Sequence, residues 1–154
     1  MLSILKKDKP AFGSRTSELG ALGERLAADH LIRSGMRIVM TNFKIPVGRN
    51  SRGAVRTGEI DIIALDGDTL VFVEVKTRRS DDFAPAEQNV DRRKQRQIAR
   101  TGRVYRRVFN LEASQFRYDV VSVVLPELEA PTITHHRAFW SDTDLVYGQR
   151  QSGR

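Results

Sequence analysis

Gly58-Glu59-Ile60-Asp61-Ile62-Ile63-Ala64-Leu65-Asp66-Gly67-Asp68-Thr69-Leu70-Val71-Phe72-Val73-Glu74-Val75-Lys76-Thr77-Arg78-Arg79 decides how this chain folds. Two apolar runs flank an Asp-Gly turn signal, which predicts a β-hairpin. Acids and one lysine interrupt those runs at Glu59, Asp61, Glu74 and Lys76. An acid inside a strand is costly unless something compensates its charge, and a metal ion is one such compensation.

Side chains alternate between the two faces of a strand. Ile60, Ile62 and Ala64 are expected on one face, as are Val71, Val73 and Val75 in the second strand. The opposite positions are Glu59, Asp61, Ile63 and Leu65, then Leu70, Phe72, Glu74 and Lys76. A two-residue loop at Asp66-Gly67 sets Asp61 opposite Phe72 and diagonal to Glu74. A four-residue loop from Asp66 to Thr69 sets Asp61 directly opposite Glu74. Either even loop gathers Asp61, Glu74 and Lys76 on one face, within reach of one another. An uncompensated three-residue loop would split them, because a slip of one residue reverses every side chain. One face is then wholly apolar, and the other is apolar near the turn and charged at the far end. That pattern suits a sheet covered on both sides, with a cleft in one cover.

Asp61, Glu74 and the backbone carbonyl of Val75 form a hard-oxygen set suited to Mg2+ or Mn2+. Lys76 points into the same cleft, where its ammonium would orient a water or stabilise charge on a phosphoryl group. Taken alone, Glu74 and Lys76 read as an ordinary ion pair at a strand end. Asp61 and the shared face tip the reading toward a metal site, with Glu59 in a supporting role.

The remaining chain surrounds this hairpin with helices and further strands. Residues 1–13 read as a flexible leader, 14–141 as a single domain and 142–154 as a tail. Thr16 or Ser17 caps a helix running to about Ser34, with Gly20, Glu24, Ala27 and Leu31 on one stripe. Gly20 and Gly23 allow that helix a close approach to the sheet. Glu24 either turns toward the acidic cluster or pairs with Arg25 at the stripe's edge. Met36 to Ile45 is a first strand, and Lys44 to Thr57 a polar connection, either an arm touching a phosphate backbone or a poorly ordered insertion. A second helix runs from Asn89 or Asp91 to Phe109, with Lys94, Ile98, Thr101, Tyr105 and Val108 facing inward. Arg117 to Leu125 is a buried strand, and strand-helix-strand order favours a parallel crossover. Thr132 to Trp140 is an edge strand, with Phe139 and Trp140 as core groups and His135-His136 as a solvated strand end.

The formal net charge is +7, from 26 Lys and Arg against 19 Asp and Glu. Such a surface favours a polyanionic partner, with DNA the first expectation and RNA the second. Arg78, Arg92, Arg93, Lys94, Arg96 and Arg100 are the expected phosphate contacts, since the second helix is almost unrelieved by acid. The chain has no cysteine, which removes disulfides, thiolate catalysis and zinc-cysteine sites. It has no apolar run of membrane-spanning length and no secretory signal pattern, so a cytoplasmic location without membrane association is the default expectation.

The order helix with Glu24, strand, Glu59-Ile-Asp61, Glu74-Val-Lys76, helix and strand resembles the restriction-endonuclease-like, or PD-(D/E)xK, nuclease fold. More closely, the chain resembles the YraN family of bacterial proteins. The segments carrying the likeness are Leu22-Gly-Glu-Arg-Leu-Ala27, Gly58-Glu-Ile-Asp-Ile-Ile-Ala64, Val71-Phe-Val-Glu-Val-Lys-Thr-Arg78, Lys94 and Arg117-Tyr-Asp-Val-Val121. The resemblance implies an α/β fold, a central mixed β-sheet flanked by helices. Through its relation to archaeal Holliday junction resolvases, it implies Glu24, Asp61, Glu74 and Lys76 as a catalytic set, and a homodimer. The expected function is a Mg2+- or Mn2+-dependent endonuclease on branched or single-stranded DNA. The alternative is a non-catalytic nucleic-acid-binding module or a basic ribosome-associated protein on the same fold.

Overall fold

The computed structural model describes residues 15–80 and 90–147. The expected leader, the last seven residues and most of the loop after Arg78 lie outside the described residues. Helix α1 spans Arg15–Arg33, followed by strands β1 (Arg37–Arg49), β2 (Val55–Asp66) and β3 (Thr69–Arg78). Helix α2 spans Arg92–Val108, β4 Phe116–Val124, β5 Thr132–Trp140 and the short helix α3 Asp142–Tyr147. The five strands form one sheet in the order β1-β2-β3-β4-β5. Only β3 and β4 pair in parallel. That is the expected mixed sheet, with α2 as the crossover between its parallel pair.

The α2 segment starts where Asp91 accepts a hydrogen bond from the Lys94 N–H at 2.9 Å, which satisfies one of the first-turn amides. Its inward stripe is Ile98, Ala99, Thr101, Gly102 and Tyr105, all buried. Val108, expected to continue that stripe, is 55% exposed. The helix ends there, and its last turn has already left the sheet.

Two cores cover the sheet. Under α1, Ala27 and Leu31 pack on Ile62, Ala64, Val71, Val73, Val75, Val121 and Val123. Under α2 and α3 lies an aromatic layer: Tyr105 meets Phe43 edge-on at 5.1 Å and Phe72 at 5.8 Å, and Tyr118 stacks on Trp140 at 5.0 Å. Such rings combine large burial with favourable quadrupole geometry. Gly23 sits where a Cβ would lie 1.8 Å from Thr77 Oγ1, so α1 approaches the sheet at a point only glycine permits. Gly20, expected to share that role, faces open space.

Three differences from the sequence reading have physical causes. The polar stretch from Lys44 to Thr57 is mostly strand: β1 and β2 continue as a ribbon and only residues 50–54 connect them. Asn50 holds that turn, its side-chain oxygen accepting from the N–H groups of Arg52 and Ala54 at 3.0 Å. The boundary expected after Ser141 is instead followed by α3, which places Leu145 in the α2-side core. Ser141 and Asp144 cap α3 reciprocally, with Ser141 N–H and Oγ both donating to Asp144 Oδ2 at 2.8 Å. Finally, Ile60 does not share a core with Ile62. It packs with Phe43 in the α2-side cluster, whereas Ile62 lies under α1.

Candidate metal centre

The reversal at Ile60 builds the site. The β2–β3 register runs from Asp66↔Thr69 to Ile62↔Val73. Gly67, with φ of 57°, and Asp68 form the two-residue tip. This is the register of the longer of the two even loops, with the strands zipped one pair further. Continued by one step, it places Asp61 opposite Glu74. The ladder stops there, and the Val75 N–H donates to Asp61 Oδ2 at 2.8 Å. A side-chain carboxylate thus takes an amide of β3 just where the regular pairing ends. On the other side of β2, the pairs Thr41↔Ile62 and Phe43↔Ile60 leave Asn42 facing Asp61. Asn42 has φ of 51°, a left-handed conformation that asparagine tolerates better than most residues. Both strands therefore kink at one level, which swings Ile60 and Phe43 to the α2 side and opens room for Asp61 beside β3.

Glu74 is 3% exposed and lies deep in the site. Its Oε1 receives Lys76 Nζ at 2.8 Å and Lys94 Nζ at 3.5 Å. Its Oε2 is buried with no hydrogen-bond partner. Burial and the neighbouring Glu74 carboxylate push the Asp61 carboxyl up to about 7, against the Val75 N–H and the Lys94 ammonium, which favour its charged form. Glu24 adds the smallest contribution in the same upward direction, so its charge is felt at Asp61. It is half-buried on α1 and lines a groove with Arg25, Thr41 and Asn42. Among the described residues no three carboxylates or imidazoles gather closely enough to cage an ion. Asp61 and Glu74 would therefore need backbone or water oxygens to complete a shell, as a magnesium ion commonly has. The buried, unsatisfied Glu74 oxygen beside a second carboxylate is a donor set that fits a hard divalent cation.

Of the other expected residues, Glu59 turns away and pairs with Lys44 at 3.0 Å. Val75 enters the site through its N–H, and its side chain belongs to the α1-side core. Arg78 is half-buried and its carbonyl accepts from the Leu125 N–H at 2.7 Å. Arg92 donates to the Asp144 carbonyl at 2.9 Å and so fastens α3 to α2. Arg93, Arg96 and Arg100 line a groove beside Val47, Arg56 and Thr57 of the β1–β2 ribbon. The expected solvated end at His135-His136 is instead structured. His135 Nε2 meets the fully buried Asp119 at 2.8 Å, and His136 Nε2 lies 3.2 Å from Ser122 Oγ. Asparagine inside the strand Met40-Thr41-Asn42-Phe43 was the one sequence signal of the kink. The Asp119–His135 pairing joins positions sixteen residues apart and had none.

The family model described as "Uncharacterised protein family UPF0102" matches residues 23–123. A protein of Paenarthrobacter aurescens (strain TC1) named "UPF0102 protein" is 43% identical over 119 residues, covering 77% of this chain and 90% of that protein. A UPF0102 protein of Trichlorobacter lovleyi is 39% identical over 127 residues, covering 82% and 92%. Among solved structures, one titled "Crystal structure of SSO0001" aligns with a TM-score of 0.41 at 15% identity, covering 92% of this chain and 60% of that one.

Proposed function

The chain belongs to the uncharacterised protein family UPF0102, and on that premise we propose that it is a metal-dependent nuclease cutting phosphodiester bonds in DNA. The observation that carries this reading is the buried Glu74 Oε2, left without a partner beside Asp61. Native folds rarely keep such an oxygen unsatisfied. Asp61 and Glu74, with the Val75 carbonyl, would hold Mg2+ or Mn2+. When bound, the ion would polarise a phosphoryl oxygen and acidify a water.

The chain's own residues supply the rest. Lys76 pairs with Glu74 at 2.8 Å and would present its ammonium to an attacking water or a developing phosphoryl charge. Lys94 brings the start of α2 to the same carboxylate, which ties the basic helix to the acid pair. Glu24 approaches from α1 and completes the acidic environment through water. Arg93, Arg96 and Arg100 would contact phosphates, so affinity falls steeply with added salt.

One observation favours a second reading. Glu74 Oε1 already faces two ammonium groups, an arrangement that neutralises a buried acid without any ion. On that reading the chain is a nucleic-acid-binding module or a basic ribosome-associated protein. The two readings separate in one experiment. Single-stranded, duplex and four-way-junction DNA, with RNA as a further arm, are incubated with the protein in Mg2+ or Mn2+ and in chelator. The expected result is metal-dependent cutting that Asp61→Ala and Lys76→Ala each reduce by about 10²-fold or more. Binding without cutting, unchanged by either substitution, would establish the module instead.

A further inference from the structure

We infer that the β1–β2 ribbon and α2 form a two-walled arginine cleft that takes one unpaired nucleic-acid strand and leads it toward the acid pair. This rests on the proposed function only in taking the polyanion to be a nucleic acid. One wall is the ribbon, with Val47, Arg56 and Thr57, and the other is α2, with Arg93, Arg96 and Arg100. The helical residues, with Gln97 among them, recur at i, i+3, i+4 and i+7, so they form one continuous face. The cleft volume is about 400 Å³. That is the scale of a small-ligand pocket, enough for a nucleotide or two of a single strand. A double helix, whose grooves alone are about 6 and 12 Å wide, cannot enter and could only rest on the rim.

The cleft is closed at one end by direct contact of its walls. At Gly58 a Cβ would stand 2.1 Å from Thr101 Oγ1 and 2.6 Å from Val47 Cγ1, so ribbon and helix meet there with no room for a side chain. Arg56 lines the cleft from the ribbon, and Arg93, Arg96 and Arg100 line it from the helix. Arg56, Arg93, Arg96 and Arg100 have no carboxylate partner among the described residues. Guanidinium groups clamp phosphate oxygens through paired N–H donors and stack on base faces, and Val47 offers an apolar contact between them. Arg93 directly precedes Lys94, whose ammonium lies 3.5 Å from Glu74, so the cleft wall and the candidate metal centre share the first turn of α2.

The test is fluorescence anisotropy in chelator across a salt series, with labelled single-stranded oligonucleotide and the same sequence as duplex. Arg56→Ala is compared with Arg33→Ala, which removes an equal charge from an exposed site at the end of α1. Arg56 is itself exposed, and an unchanged melting curve establishes that the variant is folded. We expect Arg56→Ala to weaken single-strand binding about 5-fold and to lower the salt slope by about 0.7, the loss of one phosphate contact. Duplex affinity should change by less than about 2-fold, and Arg33→Ala should change either by no more than that. Equal losses on both nucleic acids, no loss on either, or a matching effect of Arg33→Ala would overturn the inference. A protein that cuts nothing but shows the expected pattern keeps the cleft and loses the hydrolytic reading. One that cuts yet binds single strands independently of Arg56 keeps hydrolysis and loses the cleft.

Discussion

Two acids in the same sheet, Asp119 and the half-buried Asp61, have opposite fates. Asp119 on β4 is fully buried and fully partnered: Arg117 Nε donates at 2.9 and 3.1 Å, His135 Nε2 lies at 2.8 Å, and the Ala138 N–H donates at 2.8 Å. Burial alone would raise its carboxyl, and the His135 and Arg117 bonds outweigh that and lower it. Asp61 on β2 has one amide for a partner and a like charge beside it, and its carboxyl rises to about 7. A satisfied acid holds its fold together, whereas an acid pushed away from its charged form stores a demand that a cation can meet. Arg117 also reaches Asp66 at the hairpin tip at 2.8 Å, so the Asp119 network ties β2, β4 and β5 together. Ala138, with φ of 48°, is held in an unusual conformation that lets its N–H reach Asp119.

The largest expected effect tests the satisfied end of this contrast. Asp119→Ala strands His135 and half of the Arg117 fork, and should lower unfolding free energy by about 3–5 kcal/mol. Urea denaturation measures it. The sign with pH follows from the lowered carboxyl: the folded state gains stability above the ordinary aspartate range, and that gain vanishes as pH falls through the folded value. The difference between wild type and variant should therefore shrink in acid. A loss under about 1 kcal/mol would remove the structural role.

The unsatisfied end should respond the other way. Asp61→Asn keeps an acceptor for the Val75 N–H and removes the charge, so the metal-free protein should gain roughly 1–3 kcal/mol. The raised carboxyl carries a penalty that is absent below the unfolded aspartate value, grows as pH rises and is complete above about 7. The gain from Asp61→Asn should accordingly be larger at pH 8 than at pH 5. Mn2+ should stabilise the wild type more at pH 8 than at pH 6, because protons compete for the site, and should not stabilise the variant. Thermal melts at both pH values measure all of this, and a destabilised Asp61→Asn would break the comparison.

The smallest effect concerns the kink that separates the two environments. Asn42→Ala places a less tolerant residue at φ of 51° and should cost about 1 kcal/mol, whereas Asn42→Gly should be close to neutral. If alanine and glycine behave alike, the left-handed turn opposite Asp61 is not a constraint on the site.

Much of the fold was legible because its signals are local. The 3.6-residue stripes of α1 and α2, the alternation along β2 and β3, and the Asp-Gly turn each act within a dozen residues. Lys94 was expected inward from its stripe, and its ammonium does reach Glu74. The rest was less local. Pro46, Gly48 and Gly53 made the β1–β2 ribbon resemble a loop, although cross-strand pairing carries it past register shifts at Ile38/Met40 and Pro46/Gly48. Leu145 followed an expected boundary, and only the aromatic core beneath α3 gave it a place.

Read alone, the chain determined the mixed α/β architecture and the even hairpin register that sets Asp61 opposite Glu74, because strand parity and apolar periodicity are properties of neighbouring residues. Tertiary structure decided what surrounds each acid. Asp119 depends on β5 arriving with His135, Glu74 on α2 arriving with Lys94, and Asp61 on a kink shared with Asn42. Charge is stabilised by whatever surrounds it in space, and those neighbours are brought together only when the sheet closes.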